Sequence, residues 1–397
     1  MRKILSILAV TLCAAACIYP YTPDLEEAPE GILAVDGNIS IGDVSTVRLS
    51  RLMSLWPSDQ NMEYKSFSDA KVWVEDDAGT QYPGVSNIPA YYTDSMWGGW
   101  GYNPTFTIHT EDAPDDRRYR LCIEALGERY VSEWSECAPA PVIRKIDFQA
   151  TDEEVIVVVS VDGGDNGTGY LQLSYDETWE FHTEFYPSYI VDPNSWAISE
   201  GTPDGYDNYW CWKSVDSGRI YPVDYSGMTI KGVEAWPLVR FERTSDRNHR
   251  KYCVRVKAKT LAKDSYRFLK HLEESTDGGD NLFTPNPGEL PGNIRCESDP
   301  ERQVLGFVTV GRTVWKRAFL NSQYYRYHSP GTSSLLFLIP NQYPLFYENG
   351  WWPLVENMNQ DRDPTQEGDY GWGAPRCYDC VAAGGTKEQP DYWYESE

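Results

Sequence analysis

Short segments in which apolar and polar residues alternate recur along this chain, and turn sequences separate them. Alternation with a period of two is typical of β-strands that bury one face. By this criterion we expect strands at residues 32–40, 45–50, 70–75, 119–125, 130–132, 155–161, 170–175, 251–257 and 304–310. So many short strands with regular turn signals predict a mainly β fold.

The length of the chain and the spacing of these segments divide it into regions. At roughly 100–200 residues per domain, 397 residues leave room for two or three domains. We predict an N-terminal β-sandwich of the immunoglobulin or fibronectin type at residues 32–141. A second β-rich domain with one helix is expected at residues 142–323, and a loop-rich C-terminal region at residues 324–397.

Two hairpins and the helix are predicted within these domains. In the first domain the segment 119–125 turns back on the short strand that follows it. In the second domain the segments 155–161 and 170–175 are expected to pair with each other. The helix is predicted at residues 261–274, with Thr260 as its N-terminal cap.

The N-terminus carries an export signal. Residues 1–16 begin with Arg2 and Lys3, continue with a short apolar run and end in three alanines before Cys17. This is typical of a bacterial lipoprotein signal, in which Cys17 becomes the first mature residue and carries the lipid. The alternative is an ordinary secretory signal cut near Ala16, with Cys17 incidental. Because no apolar run reaches the roughly 20 residues that span a bilayer, we expect attachment through the lipid alone.

Residues 17–31 are predicted to be an extended tether. They contain three prolines and four acidic residues, a composition that disfavours a packed structure. The acidic residues beside the anchor either direct the lipoprotein to the cell surface or form a solvated linker only.

The chain is strongly acidic and rich in aromatic residues. A formal net charge of −25 argues against nucleic acid as a partner, because both would carry the same sign of charge. The 28 Tyr and 15 Trp either pack sheets and loops or form platforms for sugars and peptides. The candidate platforms are Trp97 and Trp100, in a glycine-rich loop, and the adjacent Trp351 and Trp352. The alternative role for these tryptophans is to anchor long loops.

Seven cysteines remain when Cys13 and Cys17 are set aside, and the exported context allows disulfides. An odd number leaves at least one thiol free or paired between chains. The predicted pairs are Cys122 with Cys137, Cys253 with Cys296, and Cys377 with Cys380, which leaves Cys211 as the odd thiol. A bond from Cys377 or Cys380 to Cys211 is the open alternative.

No catalytic signature is present. The sequence lacks the His-Glu-x-x-His, Gly-x-Ser-x-Gly and phosphate-loop patterns, and no two of its five histidines are spaced as a metal pair. The acidic turn at residues 162–167 departs from the EF-hand pattern at Gly164 and Leu173. We therefore expect neither an enzyme nor a metal or other cofactor. A pair of glycosidase carboxylates cannot be located among so many acidic residues.

Several ordered motifs resemble one known family. They are residues 266–270 (Tyr-Arg-Phe-Leu-Lys), 281–287 (Asn-Leu-Phe-Thr-Pro-Asn-Pro), 292–294 (Gly-Asn-Ile), 304–307 (Val-Leu-Gly-Phe), 211–212 (Cys-Trp), 377–380 (Cys-Tyr-Asp-Cys), 384–386 (Gly-Gly-Thr) and 390–393 (Pro-Asp-Tyr-Trp). Together they are similar to the Bacteroidota lipoprotein family called domain of unknown function 4249. The resemblance spans Cys17 to Trp393 and is weakest at residues 186–210 and 335–375.

The resemblance implies an outer-membrane lipoprotein, often encoded beside a TonB-dependent outer-membrane receptor, and it brings no catalytic residues. The leading hypothesis is a lipid-anchored accessory or ligand-capturing protein, at the cell surface, with a TonB-dependent transporter as its partner. The alternatives are a lipid-anchored hydrolase of glycan or peptide and a structural or adhesive surface protein.

Overall fold

A computed structural model describes residues 32–51, 67, 69–87, 103–163, 168–277, 292–321, 324, 334–357 and 368–394. The signal segment, Cys17 and the tether lie outside the described residues, as do Trp97, Trp100 and most of the acidic turn at 162–167.

Within the described residues the chain is mainly β, as the alternating pattern predicts. The strands are β1 Leu33–Ile41, β2 Val44–Arg51, β3 Lys71–Asp76, β4 Gln81–Ser86, β5 Thr105–His109, β6 Arg118–Ala125, β7 Glu128–Ser132, β8 Ser135–Glu136, β9 Val142–Ala150, β10 Glu154–Asp162, β11 Tyr170–His182, β12 Tyr189–Val191, β13 Ile198–Glu200, β14 Trp210–Asp216, β15 Tyr221–Asp224, β16 Gly232–Glu242, β17 Lys251–Thr260, β18 Ile294–Cys296, β19 Val304–Asn321, β20 Leu336–Leu338, β21 Trp352–Glu356 and β22 Tyr370–Gly373. The helices are α1 Lys263–Asp277 and α2 Tyr343–Glu348. In this described part no helix has the length and apolar character needed to cross a membrane.

One sheet of 14 strands runs through both predicted β domains. Its order is β14-β11-β17-β19-β1-β2-β5-β4-β3-β6-β7-β18, with β15 beside β11 and β8 beside β6. Smaller sheets are β16-β10-β9, β12-β13 and β20-β22-β21.

The 18-residue strand β19 connects the two halves of the large sheet. Its first half pairs in parallel with β1, and its second half, from Thr313 to Asn321, pairs antiparallel with β17. Gly306 is required where β19 meets β1, because its φ is +113° and a Cβ there would lie 1.8 Å from the Val35 carbonyl oxygen. The long strand therefore holds both halves in one hydrogen-bonded register.

A lysine is buried at this junction. The ammonium group of Lys259 donates hydrogen bonds to Asn38 Oδ1, to Thr309 Oγ1 at 2.9 Å and to the Ile39 carbonyl at 3.4 Å. Gly311 leaves room for the lysine chain, since a Cβ there would lie 2.9 Å from Lys259 Cγ. Burial lowers the pKa of Lys259 to about 7, because a low-dielectric site disfavours the charged amine.

Two large hydrophobic cores flank the junction. The first packs side chains of β1–β7 together with Cys296, Val308 and Val310 from β18 and β19. The second lies between the sheet β16-β10-β9 and the strands β11, β14 and β17 with the second half of β19. The chain contributes residues before 142 to the first core, then builds the second core, and returns to the first core near residue 294.

Of the two predicted hairpins, one is confirmed and one is wrong. Strands β6 and β7 pair as expected. Strand β10 pairs with β9 and β16, whereas β11 pairs with β14, β15 and β17, so the segments 155–161 and 170–175 lie in different sheets. Their inward side chains meet across the second core, which explains why both segments are so apolar.

Helix α1 begins two residues later than predicted, at Lys263. Thr260 does not cap it. Thr260 is the last residue of β17, and its hydroxyl donates to the Pro139 carbonyl at 2.7 Å. The helix packs through Tyr266 on Tyr170, at 4.7 Å between ring centroids.

The C-terminal region contains more regular structure than the sequence predicts. Strands β20–β22 and helix α2 enclose a small aromatic core in which Tyr343 lies 4.8 Å from Trp372, between ring centroids. Proline and glycine in this region produce loop signals, but buried aromatic side chains stabilise short elements between them.

Candidate ligand-binding site

The second half of the large sheet has one apolar and one polar face. On β11, Trp179 and Phe181 point into the second core, so the alternation of a strand directs Glu180 to the opposite face. On β17, Tyr252 and Val254 point inward, and Lys251 lies opposite them. We call this opposite side the outer face.

The C-terminal segment, residues 386–394, covers part of the outer face. Thr386 forms an antiparallel bridge with Trp212 of β14, through backbone hydrogen bonds of 2.8 and 2.9 Å. Tyr392 shares a 2.9 Å hydrogen bond with the Thr178 hydroxyl, and Lys251 Nζ donates to the Trp393 carbonyl at 2.5 Å. Trp393 is only 3% exposed, so the segment is a packed part of the fold.

A disulfide between Cys211 and Cys380 fastens this end of the chain to β14, with 5.7 Å between Cα atoms. The predicted bond between Cys377 and Cys380 is therefore wrong, as is the assignment of Cys211 as the odd thiol. Cys380 points into the second core, whereas Cys377 packs with Phe185 and Leu354 in a separate small cluster. The neighbouring 3-10 turn thus directs the two thiols to different sides.

The pair Cys122 and Cys137 is also wrong, since both are free thiols. Leu121 and Ile123 point into the first core, so Cys122 faces away from it and its thiol lies 3.4 Å from Glu75 Oε2. Cys137, by contrast, packs against that core. Burial raises the pKa of each thiol to about 11, which keeps both protonated at neutral pH.

Cys253 and Cys296 do not pair either. Cys296 belongs to the first core, on β18. Cys253 lies on β17 opposite Phe319, on the outer face of the sheet beside the second core. The two thiols therefore belong to different halves of the molecule.

A cavity of about 300 Å³ lies between the outer face and the C-terminal segment. It is lined by Glu180, Trp212, Arg250, Lys251, Asn321, Gln389, Trp393 and Tyr394. Sheet strands supply one wall and the C-terminal segment supplies the other. Because the segment is held by the disulfide and the Thr386 bridge, the cavity is formed before any ligand binds.

The charged groups of the cavity are engaged within the protein. Arg250 Nη1 lies 2.7 Å from Glu180 Oε1, and the guanidinium also lies over the ring of Trp210 at 5.5 Å. The ammonium of Lys251 lies 4.4 Å from the ring centroid of Phe319 while it donates to the Trp393 carbonyl. Glu180 is the one carboxylate among the described lining residues.

Stacked rings support the wall that carries Arg250. His182 stacks on His249 at 4.0 Å and on Tyr209 at 5.0 Å, and the edge of Trp210 lies 4.9 Å away, all between ring centroids. Burial and, to a smaller extent, the nearby His182 lower the pKa of His249 to about 4, so His249 is neutral at pH 7. Among the described residues no group of three potential ligands could hold a metal ion.

A larger cavity, of about 700 Å³, lies beside the turn between β6 and β7. It is lined in part by Phe67 and Asp69, which adjoin residues outside the described part of the chain. The smaller cavity has more aromatic side chains, and its two walls, the sheet and the C-terminal segment, are fastened to each other. It is therefore the better candidate site.

Of the predicted tryptophan platforms, Trp351 and Trp352 are not among the described residues that line this cavity, and Trp97 and Trp100 lie outside the described residues. Trp352 donates from Nε1 to the Tyr189 carbonyl at 2.8 Å, and Trp351 packs edge-on against Phe346 at 5.2 Å between centroids. Both rings are half-buried among C-terminal elements, which is the anchoring arrangement.

Trp212 and Trp393 were visible in the sequence only as parts of the family motifs. A correct disulfide pairing is the signal that would have brought them together.

Residues 18–317 match the model of a protein family described as Domain of unknown function (DUF4249). No curated protein matches the chain. The match ends within β19, so the C-terminal wall of the cavity lies beyond the matched residues.

Proposed function

We propose, from the premise that this chain belongs to the family DUF4249, of unknown function, that it is a lipid-anchored, ligand-capturing protein of the outer membrane. In this proposal it stands at the cell surface and works with a TonB-dependent transporter. The N-terminal signal with Cys17 supports the anchor, and the family resemblance supports the partner.

One observation carries the ligand-capturing role. The cavity combines aromatic rings with polar side chains, and it lies between a sheet and a disulfide-tied segment. A preformed cavity of this kind suits binding, because little chain entropy is lost when the ligand enters.

The same cavity gives little support to hydrolysis. Glycoside hydrolysis commonly needs two carboxyl groups across the scissile bond. Glu180 is the one carboxylate in the described lining, and it is held by Arg250. Binding is therefore the function that this geometry favours.

The test of the partner is co-purification of the native protein. An affinity tag is inserted within the tether, because a C-terminal tag would disturb Trp393 and Tyr394. After gentle detergent extraction we expect an outer-membrane receptor to be recovered with the tagged protein. A Cys17→Ala variant is the matched control, since it should leave the membrane fraction and lose the receptor.

Recovery of the anchored protein without any barrel receptor would contradict the transporter part of the proposal. Membrane attachment of the Cys17→Ala variant after a carbonate wash would contradict the lipid anchor.

A further inference from the structure

The cavity carries more positive than negative charge. Its described lining holds two cations, Arg250 and Lys251, but only one carboxylate, that of Glu180. Arg250 Nη1 lies 2.7 Å from Glu180 Oε1, whereas Lys251 has no carboxylate partner within the described part of the chain. This local excess of positive charge lies in a chain whose formal net charge is −25. A ligand with a negative group would match it.

Both cations keep hydrogen-bond donors that the protein does not use. A guanidinium has five N–H donors and an ammonium has three. Among the described residues, Arg250 donates only to Glu180, and Lys251 only to the Trp393 carbonyl. The side chain of Arg250 is 62% exposed and that of Glu180 only 9%. The carboxylate of this pair is therefore covered, while the guanidinium stays accessible to a ligand.

Two amides add further donors to the same cavity. Asn321, at the end of β19, lies opposite Lys251 in the sheet register, and Gln389 belongs to the C-terminal segment. Neither side chain forms a hydrogen bond within the described residues. Each amide can turn its two N–H donors toward an acceptor. An ionised carboxylate only accepts hydrogen bonds, at about four positions on its two oxygens, so donors on several elements suit it.

We propose that this cavity binds the carboxylate of a small, singly charged organic acid, held by Lys251 and Arg250. This inference rests on the proposed ligand-capturing function and names its ligand class. One negative charge balances the local excess, whereas a second would lie uncompensated beside Glu180. Tyr394, which is 78% exposed, offers ring surface for the apolar part of the acid. A volume of about 300 Å³ lies at the lower end of small-molecule sites and suits a small acid.

The test is a ligand-observed NMR titration of the full mature protein at pH 7.5 and low salt. The probes are N-acetylphenylalanine with its primary amide, glucuronate with glucose, and phenyl phosphate. Each carboxylate thus has a neutral counterpart of similar shape, and the phosphate carries a second charge. We expect at least one carboxylate to bind and its counterpart to bind at least about tenfold more weakly, because charge-assisted hydrogen bonds are lost. Added salt should weaken the carboxylate complex.

Two cavity variants test the charge directly. Gln389→Glu keeps the shape of the side chain but adds a second carboxylate to the lining, so it should weaken carboxylate binding at least about tenfold. Gln149→Glu is the matched control, because it adds the same charge on the exposed part of β9, outside the cavity. Lys251→Met removes the cation that has no carboxylate partner and leaves an apolar chain beside Phe319, and it should weaken binding similarly.

Equal binding of a carboxylate and its neutral counterpart would overturn the inference and leave ligand capture standing. A preference for phenyl phosphate over both carboxylates would overturn the assignment of a single charge. If no probe binds, or if Gln389→Glu and Lys251→Met both bind as the wild type does, the inference is wrong. Receptor co-purification then tells separately whether the transporter proposal survives.

Discussion

Replacing Cys211 and Cys380 together by alanine removes the bond that ties the C-terminal segment to β14. The bond closes a loop with a sequence separation of 169 residues. Restricting the unfolded chain over that length is worth about 5 kcal/mol in the chain-entropy model, and measured losses for native disulfides are commonly about 2–5 kcal/mol. We therefore expect the free energy of unfolding to fall by several kcal/mol.

The same variant should open the cavity. Trp393 and Gln389 belong to the segment that the bond fastens, and the remaining ties are the Thr386 bridge and a few side-chain contacts. We expect limited proteolysis to cut residues 380–394 in the variant before it cuts the strands.

The assay is guanidinium unfolding at pH 7.5 without reductant, followed by circular dichroism and tryptophan fluorescence. Cys377→Ala is the matched control, because it removes a buried thiol three residues away without removing the bond. It should cost only about 1 kcal/mol, the loss of one small buried group. Non-reducing peptide mapping of the wild type should recover Cys211 joined to Cys380.

Two results would refute this reasoning. One is a double variant whose free energy of unfolding lies within about 1 kcal/mol of the wild-type value, since the bond would then add little to the stability of the fold. The other is a mapped bond from Cys380 to Cys377, with Cys211 free, which would restore the sequence-based pairing.

Three further predictions concern charge and attachment. The folded pKa of Lys259, about 7, lies below its unfolded value of 10.5, so the wild type gains stability as pH rises from 7 to 10.5. Because Met does not titrate, chemical denaturation should show the stability of Lys259→Met relative to the wild type falling by about 2–3 kcal/mol between pH 6.5 and pH 9; a constant difference would contradict a buried titrating amine. The folded pKa of His249, about 4, lies below its unfolded value of 6.5, so the wild type should lose about 1–2 kcal/mol relative to His249→Phe between pH 6.5 and 4, allowing for solvent around a half-buried ring. Equal pH profiles of these two proteins would show that burial does not lower the pKa of His249. Metabolic labelling with a fatty acid should mark the wild type and not Cys17→Ala, and labelling of the variant would place the lipid elsewhere.

Much of the strand content could be predicted because alternation is a local property. The segments expected at 45–50, 70–75 and 155–161 correspond to Val44–Arg51, Lys71–Asp76 and Glu154–Asp162. Each strand buries one face, so its own residues record the pattern. The helix near residue 263 was likewise visible from its apolar spacing.

Pairing and burial were decided by tertiary structure. The apolar segment at 155–161 is equally compatible with a hairpin or with a second sheet, and only packing across the second core places it in the latter. The long strand β19 reads locally as one strand, yet its two halves have partners more than 200 residues apart, β1 and β17.

The cysteines show the same division between local and distant information. Sequence spacing favours Cys377 with Cys380, but the turn between them directs the two thiols to different clusters, and Cys380 meets Cys211. The cavity depends on that meeting, because one wall comes from β11, β14, β17 and β19 and the other from the last residues described. By itself the sequence predicted most of the strands and the helix, because their patterns lie within a few neighbouring residues. Only the tertiary structure decided the site, because the residues that form it are up to about 200 positions apart and nothing local records their contact.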